Sequence, residues 1–546
     1  MARRKLPISL VFLLLTTCRD TVTLPILTKP KSVSVLTQHN DNSRTGWNDN
    51  ETALTTANVN AQLFGEVFTL PVDDQVYAQP LVAGSVYIGG GYHNVVFVAT
   101  VSNTVYAYDG DNGTLYWQKS FTAPGMRPPQ HTDMTGACNG SYQDFSGNIG
   151  IVGTPVIDAA SGTMYFVARS TTGSSFVQFL HAVNIVDGTD VAGSPTKIIA
   201  TSNGTGDGSV NGVIAFDAQH QNQRQGLTLL NGIVYLTFSS HCDWGPYHGW
   251  ILGYDAATVQ QRIVYNDTPN GYAGGMWESG TGMAADAAGN LYVVTGNGTV
   301  GDAGDPTNLS NRAESALKLT PTGSTLRVAS YFTPTNYQFL NSYDLDYGGM
   351  GTFLIPDSGY YLTGGKDGNL YLLNQDAMGG YLPSSNEVQQ VVTLGGSNTN
   401  MHCQPAYYKG SSKEFVYVWS ENDPLRAIPF DRASNLLSPQ TQVLSSAARP
   451  TGQSGAVLSV SSNGAQDGTG ILWTSYASSG DAEHAVSPGI LRAFDANDIS
   501  KELWNNQQNA QRDAAGTYAK FAAPTVANGH VYLPTFSNRV VVYGLQ

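Results

Sequence analysis

The stretch "VYAYDGDNGTLYWQKSF", residues 105–121, predicts two strands joined by a tight turn. Apolar and polar residues alternate in "VYAYD", as they do in a half-buried strand. The Asp, Asn and Gly residues of "DGDNG" are those that favour the backbone conformations of tight turns. The second strand carries Trp117. The hairpin indicates a β-protein, and its recurrence along the chain predicts the type of β-fold.

Strand-and-turn segments of the same type recur throughout the chain. They lie at residues 179–190, 250–265, 315–332, 369–380, 424–437 and 490–504. Another pair of strands precedes each of them, for example at residues 154–168 and 282–296. The unit is therefore four strands joined by Gly, Asn and Asp turns. Such units bury both of their faces when they stack around an axis, which predicts a β-propeller.

The number of units predicts how the ring closes. Seven full units run from Gln79 to about Asn509, whereas residues 520–546 supply only three strands. The strand "FGEVFTLPV" (64–72) is expected to supply the missing fourth strand and to cover the last sheet edge. We predict an all-β fold, an eight-bladed β-propeller of four-stranded antiparallel blades, as a single domain over residues 61–546. Seven blades is the alternative.

The opening hairpin also carries a family resemblance. Ala107, Asp109, Gly113 and Trp117 match the pattern A-x-D-x-x-x-G-x-x-x-W, and "LRAFDANDISKELW" (491–504) matches it in part. The pattern resembles the pyrroloquinoline quinone (PQQ) repeat of quinoprotein alcohol-dehydrogenase-like propellers. The resemblance covers residues 64–546 and implies that the Trp of one blade packs against the next. It implies no single function, because this repeat builds both PQQ dehydrogenases and non-catalytic outer-membrane assembly lipoproteins.

The first 60 residues predict export. Arg3, Arg4 and Lys5 precede a short apolar run, so residues 1–18 are expected to be a signal peptide. "LTTC" resembles a bacterial lipobox with Cys18 as the lipidated residue, although Thr17 departs from the pattern and ordinary cleavage near Cys18 is the alternative. Residues 19–60 are expected to form a polar tether and a segment on the surface of the domain. A secreted or cell-envelope location follows, with membrane contact only through the lipid anchor.

Charge and cysteine content narrow the function classes. The net charge of −14 and the lack of a basic run after residue 5 argue against nucleic-acid binding. Besides Cys18, the chain has Cys138, Cys242 and Cys403, which allow one intramolecular disulfide in an oxidising compartment. The loops of Cys138 and Cys242 are expected on adjacent blades, so we predict a Cys138–Cys242 disulfide. No CxxCH motif for covalent haem occurs.

Candidate site residues concentrate in loops that should share one face around the propeller axis. The richest are "SSHCDWGPYHGW" (239–250) and "NMHCQPAY" (400–407). The expected ligand-binding residues are His241, Asp243, His248, Trp277, Glu278, His402, Arg224 and Asp344. Further polar residues expected at this mouth are Tyr77, Gln79, Asp346, Arg512 and Asp513, whereas Lys366 is interpreted as structural.

A metal site is a further hypothesis for these loops. The candidate ligands are His241, Cys242, His248, His402 and Cys403. Their residue types suit zinc or copper. They come from separate loops without tight CxxC spacing, so packing and hydrogen bonding are the alternative role.

Two functions remain open. The favoured one is an exported binding or scaffold propeller that presents its loop-rich face to a protein or glycan. The alternative is a PQQ-dependent dehydrogenase of alcohols or sugars. The resemblance implies PQQ held between a Trp and a vicinal disulfide, with a calcium site and an Asp base. The chain lacks a vicinal Cys pair, and Glu278, Asp344 and Asp346 are candidates for the calcium and base roles by residue type alone.

Overall fold

The computed structural model describes residues 32–395 and 399–546 and forms an eight-bladed β-propeller. Each blade is a four-stranded antiparallel sheet, as predicted. The expected signal peptide, Cys18 and the beginning of the tether lie outside the described residues. Within the described part of the chain, no helix has both the length and the apolar character needed to cross a bilayer.

The strands of the first four blades follow the chain from the innermost strand outward. Blade 1 consists of Leu81–Ile88, Gly91–Ala99, Thr104–Asp109 and Leu115–Ser120, and blade 2 of Val156–Asp158, Thr163–Thr171, Phe176–Asn184 and Thr196–Lys197. Blade 3 consists of Thr228–Leu230, Ile233–Ser240, Trp250–Asp255 and Gln261–Asn266, with Gln221–Asn222 paired to its second strand. Blade 4 consists of Ala284–Ala285, Leu291–Val294, Ala316–Thr322 and Thr325–Phe332.

The other four blades repeat this order. Blade 5 consists of Phe353–Ile355, Tyr360–Gly364, Asn369–Asn374 and Gln390–Thr393. Blade 6 consists of Ala406–Lys409, Glu414–Val418, Arg426–Asp431 and Leu436–Leu437, with Val443–Leu444 paired to its third strand. Blade 7 consists of Val457–Ser461, Ile471–Ala477, Gly489–Asp495 and Glu502–Asn505. Blade 8 consists of Thr525–Ala527, His530–Pro534, Arg539–Leu545 and, from the N-terminal side, Phe64–Pro71.

Blade 8 closes the ring with strands from both ends of the propeller. Phe64–Pro71 pairs antiparallel with Arg539–Leu545, in a register that places Phe64 opposite Leu545 and Pro71 opposite Arg539. This confirms the predicted closing strand. The pairing covers the edge that the third strand of blade 8 would otherwise expose.

The repeat residues of blade 1 show why the pattern is needed. Trp117 reaches blade 2, where its indole Nε1 donates a hydrogen bond to the carbonyl of Ile185 at 3.0 Å. A Cβ on Gly188 would lie 2.8 Å from this indole ring, so the close approach requires glycine. Asp109 accepts hydrogen bonds from two backbone N–H groups of its turn, and Gly113 completes the turn with φ +75°. The motif therefore joins one blade to the next, and Trp504 does the same in blade 7, where it packs edge-on against Phe64 of blade 8.

Several short elements lie in the connections. They are the hairpin of Thr201–Asn203 and Val213–Ala215, the α-helix Tyr337–Ser342, and the 3-10 turns His131–Asp133, Ala137–Gly140, Glu278–Gly280 and Pro439–Thr441. The loops that carry Ala137–Gly140 and Tyr337–Ser342 enter blades 2 and 5 and bring charged residues to the axis.

Residues 33–51 form a segment that we call the axial plug. The plug contacts the innermost strand of every blade or the residues next to that strand. Its partners, in blade order, are Val82, Ile157, Leu227 and Leu229, Met283 and Ala285, Leu354, Tyr407, Val460 and Val526. In blade 7, Trp47–Asn48 pairs in parallel with Val457–Ser461. The eight inner strands are thereby tied to one continuous segment.

The axial plug differs from the surface segment expected for residues 19–60. Gln38, His39, Arg44 and Thr45 are all at most 2% exposed. The polar composition suggested the surface, but these polar groups find partners inside. Arg44 donates from Nε to the Met283 carbonyl at 3.0 Å and from Nη1 to the Gln38 carbonyl at 2.8 Å. Buried polar groups are tolerated when they are hydrogen-bonded in this way.

Candidate functional site: the axial pocket

The loops that enter the eight innermost strands surround one cavity of about 200 Å³, which we call the axial pocket. Every blade contributes to its lining. The contributing residues, in blade order, are Tyr77, Thr154, Arg224, Trp277, Gly349, His402, Gln453 and Phe521. Convergence of all eight blades makes this the principal concave site on the axis, where propellers commonly bind ligands.

The inner end of the axial pocket is held by glutamine side chains. Gln404 donates from Nε2 to the carbonyls of Ser279 and Phe521, at 2.7 and 2.8 Å. Gln38 of the axial plug accepts a hydrogen bond from the Gly282 N–H at 3.3 Å and lies 3.4 Å from the Gln404 Oε1. Loops of blades 4, 6 and 8 are thus tied to the plug directly behind the pocket.

One wall of the pocket is aromatic and carries a cation. The Arg224 guanidinium lies 5.2 Å from the centre of the Trp277 ring and 4.6 Å from that of Phe521. Its Nε donates to the Trp277 carbonyl at 3.3 Å. Arg224 is therefore held between two rings by cation–π attraction, with its terminal nitrogens left for other partners.

A disulfide forms another part of the lining. Cys138 and Cys242 are bonded with an S–S distance of 2.00 Å, which is the pairing expected from the sequence. Both cysteines line the pocket. The bridge joins the loop that enters blade 2 to the loop between the second and third strands of blade 3, and so fixes the position of Asp243 next to it.

A charged cluster lies on the side of blades 3 to 5. The Lys366 ammonium is 2.7 Å from Asp346 and 3.2 Å from Asp344. Burial opposes ionisation of Asp346, but Lys366 outweighs it and holds the pKa of Asp346 below its ordinary value. Loss of hydration, together with the carboxylates of Asp346 and Asp344, raises the pKa of Asp243 to about 7. Adjacent carboxyl groups therefore differ in protonation near neutral pH.

A second group of charges lies on the side of blades 7, 8 and 1. Lys520 is 5% exposed and donates a hydrogen bond from Nζ to the carbonyl of Glu483. Burial lowers the pKa of Lys520 to about 8. Asp144 pairs with His484, with 3.1 Å between Oδ1 and Nδ1. The Tyr77 hydroxyl, buried beside Phe145, has no hydrogen-bond partner among the described residues.

The structure brings five of the eight expected ligand-binding residues to the axial pocket. They are Arg224, Asp243, Trp277, Asp344 and His402. His402 is oriented by Glu421, whose Oε1 lies 2.6 Å from the imidazole Nδ1. Lys366, which was interpreted as structural, lines the pocket as well.

The other three expected residues do not line the pocket. His241 contacts Tyr142 at 2.8 Å and Arg169 at 3.3 Å, and His248 contacts Thr268 at 2.9 Å. Glu278 is fully buried and accepts hydrogen bonds from Thr352 and from the Val294 N–H at 3.0 and 3.3 Å. Each of these side chains turns toward the interior because its partners lie there.

The sequence also misplaced other residues. Gln79 is buried behind the pocket, where it accepts a hydrogen bond from the His39 N–H at 3.0 Å. Arg512 and Asp513 pair with each other, and Asp513 accepts from the Glu66 N–H in the closing strand at 3.0 Å. These two side chains support blade 8 and do not line the axial pocket.

The five candidate metal ligands do not converge. Cys242 is in the disulfide, and Cys403 is buried against Ser420. His241, His248 and His402 each have separate partners. Among residues 32–395 and 399–546, no three His, Cys, Asp or Glu side chains are placed to hold a metal ion. The hypothesis that these five residues form a metal site is wrong for the described structure.

Sequence reasoning missed the pocket residues that carry no motif. Asp144, Glu483, Lys520 and Phe521 all line the cavity. Their only sequence signal is position, because Lys520 and Phe521 lie just before the innermost strand of blade 8. The equivalent loop of blade 4 contains Trp277, so the same rule applied to every blade would have found Lys520 and Phe521.

Comparisons with known proteins agree with this fold. Residues 75–206 match the family model described as outer membrane protein assembly factor BamB. The quinohemoprotein alcohol dehydrogenase ADHIIG of Pseudomonas putida HK5 is similar in structure, with a TM-score of 0.59, 12% identity, and 94% of this chain and 80% of that chain covered. The quinohemoprotein alcohol dehydrogenase of Comamonas testosteroni gives 0.57 at 14% identity, with the same two coverages. No curated protein sequence matches the chain.

These likenesses confirm the resemblance to the PQQ-repeat propellers. The sequence match covers blade 1, blade 2 and the first strand of the following hairpin. The structural likeness extends over nearly the whole chain, and at these identities it establishes the fold alone. The function must be argued from the pocket.

Proposed function

We propose that the protein is an exported binding protein of the cell envelope whose ligand, a small polar molecule with a flat ring, occupies the axial pocket. The observation that carries the proposal is the convergence of loops from all eight blades on one cavity. Trp277 and Phe521 both line the pocket beside Arg224 and supply aromatic surface. The charged cluster of Asp243, Asp344, Asp346 and Lys366 supplies donors and acceptors in the same pocket. Sugars and quinones both combine a ring face with polar edges.

The organic part of PQQ fits the residues present, but calcium does not. Trp277 and the Cys138–Cys242 bridge supply two walls for a flat ring, and Arg224, Lys366 and Lys520 supply positive charge for its carboxylates. The space between Asp344 and Asp346 is taken by the Lys366 ammonium. A calcium-dependent mode of binding is therefore not part of the proposal.

A PQQ-dependent dehydrogenase is the second candidate, and Asp243 is the observation that favours it. A carboxyl group with a pKa of about 7 is suited to accept a proton near neutral pH. Asp243 lines the same pocket as Trp277 and lies next to the disulfide. A bound quinone would supply two-electron acceptance. Asp243 would take the proton from the substrate hydroxyl, while Lys366 keeps Asp346 ionised.

Isothermal titration calorimetry of the purified protein tests whether a small molecule binds in the axial pocket. The titrants are PQQ with and without calcium, D-glucose, D-glucuronate, benzyl alcohol and benzoate. We expect saturable binding of at least one of them at a stoichiometry of 1:1, lost in Trp277→Ala. The control is Trp47→Phe, because Trp47 lies in the axial plug away from the pocket. Binding that is equal in wild type and Trp277→Ala would contradict the proposed site.

Dye reduction decides between the two candidates. The protein loaded with PQQ is assayed with alcohols and sugars as donors over pH 5.5 to 9. A dehydrogenase would show a rate that rises through pH 7 and is lost in Asp243→Asn. If PQQ or a sugar binds and no dye is reduced, the protein is a binding protein and not a dehydrogenase.

Location is tested independently. Fractionation of cells that express the full chain should place the protein outside the cytoplasm, and Cys18→Ser should release it from membranes if the lipobox is used. Recovery of the full chain in the cytoplasm, with Cys138 and Cys242 reduced, would contradict export.

A further inference from the structure

Lys520 is a buried cation without a carboxylate partner. Its side chain is 5% exposed and lines the axial pocket, yet Nζ is bonded only to the Glu483 carbonyl among the described residues. Asp144 contacts His484, and the Glu483 carboxylate lies 3.8 Å from the same imidazole. Both carboxylates act on the Lys520 charge from beyond ion-pair distance. A buried ammonium that is hydrogen-bonded to one carbonyl keeps further donors, which points to an anion that completes the site.

Arg224 is the second cation in this position. Its Nε is bonded to the Trp277 carbonyl, whereas Nη1 and Nη2 have no hydrogen bond to a described residue. Phe521 follows Lys520 in the chain and packs against the Arg224 guanidinium at 4.6 Å. Burial is the main cause that lowers the pKa of Lys520, the carboxylates of Asp144 and Glu483 act in the opposite direction, and the nearby charge of Arg224 adds to the lowering. Among the described residues no carboxylate lies within ion-pair distance of either cation, so both retain donors for a bound anion.

The other lysine of the pocket lining has different partners. Lys366 lies in the same pocket, but two carboxylates, Asp344 and Asp346, neutralise it at 3.2 and 2.7 Å. The pocket therefore has one side, formed by blades 3 to 5, where the lysine is directly paired, and another side where Arg224 and Lys520 have no direct carboxylate partner among the described residues, although Asp144 and Glu483 lie nearby.

We propose that Arg224 and Lys520 form an anion subsite that binds the carboxylate of a ring-bearing organic acid in the axial pocket. The inference rests on the proposed binding function and adds the class of ligand. The Arg224 guanidinium packs against Trp277 and Phe521, and its terminal nitrogens offer a fork for a carboxylate. Lys520 adds a single charge, and the unpartnered Tyr77 hydroxyl adds one more donor to the lining. The rings beside this subsite place the ring of the ligand next to its carboxylate.

Two matched pairs of probes test the subsite. D-glucuronate is compared with D-glucose, and benzoate with benzyl alcohol, by isothermal titration at pH 7 and constant ionic strength. We expect at least one acid to bind at least tenfold more tightly than its neutral partner. Arg224→Gln and Lys520→Met should each remove this preference, whereas Lys501→Met, at a lysine whose side chain is 65% exposed, should leave it unchanged.

The labelling of Lys520 gives a second readout. Bound acid should protect Lys520 from an amine-reactive reagent at pH 8, as measured by mass spectrometry of the peptides, and the neutral partner should not. Lys520→Met should also melt at the same temperature as wild type or higher without ligand, because it removes a buried charge that no carboxylate pairs with directly.

The outcomes keep the two proposals apart. If D-glucose or benzyl alcohol binds in a Trp277-dependent manner as tightly as its acid, the binding function stands and the anion subsite is wrong. If no acid is preferred, or if both variants keep the preference, the subsite is wrong as well. If Lys520→Met lowers the melting temperature and leaves acid binding intact, Lys520 is a structural support.

Discussion

At the scale of single residues, the partners of a charged group decide what it does in the axial pocket. Lys366 and Lys520 both line the cavity, but Lys366 is paired with two carboxylates and Lys520 with a carbonyl. Glu278 and Asp243 differ in position. Glu278 is buried behind the lining of the pocket, whereas Asp243 is part of that lining. The sequence predicted that charged residues gather at the mouth. It did not predict their partners, which come from loops far apart in the chain.

Glu278 makes stability depend on pH in a predictable direction. Burial raises its pKa from an ordinary value of 4.5 to about 8, and its Oε2 has no partner among the described residues. The folded state therefore holds a proton that the unfolded state releases, so stability should fall as the pH rises from about 4.5 to about 8. Glu278→Gln should remove this loss, on the order of 1 kcal/mol per pH unit.

Urea unfolding at pH 5, 6.5 and 8 measures the effect. The advantage of Glu278→Gln over wild type should grow with pH, while the exposed Glu387→Gln should track wild type. An advantage that stays constant, or that shrinks as the pH rises, would show that Glu278 is ionised in the folded protein.

Trp277 should contribute binding energy through its flat face. Trp277→Ala is expected to raise the Kd of any pocket ligand at least tenfold, and Trp277→Phe to raise it less, because a smaller ring still stacks. Because the Trp277 side chain is only partly buried, replacing it should leave the fold intact, which circular dichroism can check. If Phe and Ala weaken binding equally, the indole acts by a polar contact rather than by stacking.

At the scale of elements, the axial plug is what the sequence left unpredicted. The closing strand at 64–72 was predicted because the eighth unit lacked one strand. Residues 33–51 have no period, since successive residues bond to different blades rather than to one sheet face. Only the tertiary structure supplies these partners, so the segment was expected on the surface.

Arg44 should be the plug residue whose loss costs most stability. Its guanidinium donates to Met283, Thr37, Gln38, Leu227 and Thr228. Arg44→Met would leave several buried acceptors unsatisfied, with an expected loss of about 3 kcal/mol or more. Urea unfolding measures the loss of stability. Arg262→Met is the control, because the Arg262 side chain is 55% exposed. Equal stability of the two variants would mean that the plug does not hold the inner strands together.

At the scale of the whole molecule, the fold was predictable and the pocket only in part. The repeat pattern of Ala107, Asp109, Gly113 and Trp117 is a local signal. In the structure Asp109 and Gly113 form the turn, and Trp117 joins blade 1 to blade 2. The mouth was correctly located from the loops that enter the innermost strands. Lys520 and Asp144 were missed because their loops carry no distinctive residue pattern.

The Cys138–Cys242 bridge should stabilise the molecule and report on its compartment. It closes a separation of 104 residues, for which the chain-entropy model gives roughly 4–5 kcal/mol. Replacing both cysteines with serine should lower the free energy of unfolding by up to that amount. Non-reducing peptide mapping should find Cys138 joined to Cys242 and Cys403 unpaired, and a bridge that involves Cys403 would contradict the structure.

The central claim is that a ligand binds where the eight blades meet, and a crystal structure with bound ligand tests it most directly. The crystals are grown with whichever compound among PQQ, D-glucose, D-glucuronate, benzyl alcohol and benzoate binds most tightly in solution. We predict its ring against Trp277 and, for an acid, its carboxylate between Arg224 and Lys520. Density for the compound on the outer surface of the propeller, with the axial pocket holding only solvent at a concentration that saturates binding in solution, would contradict the claim.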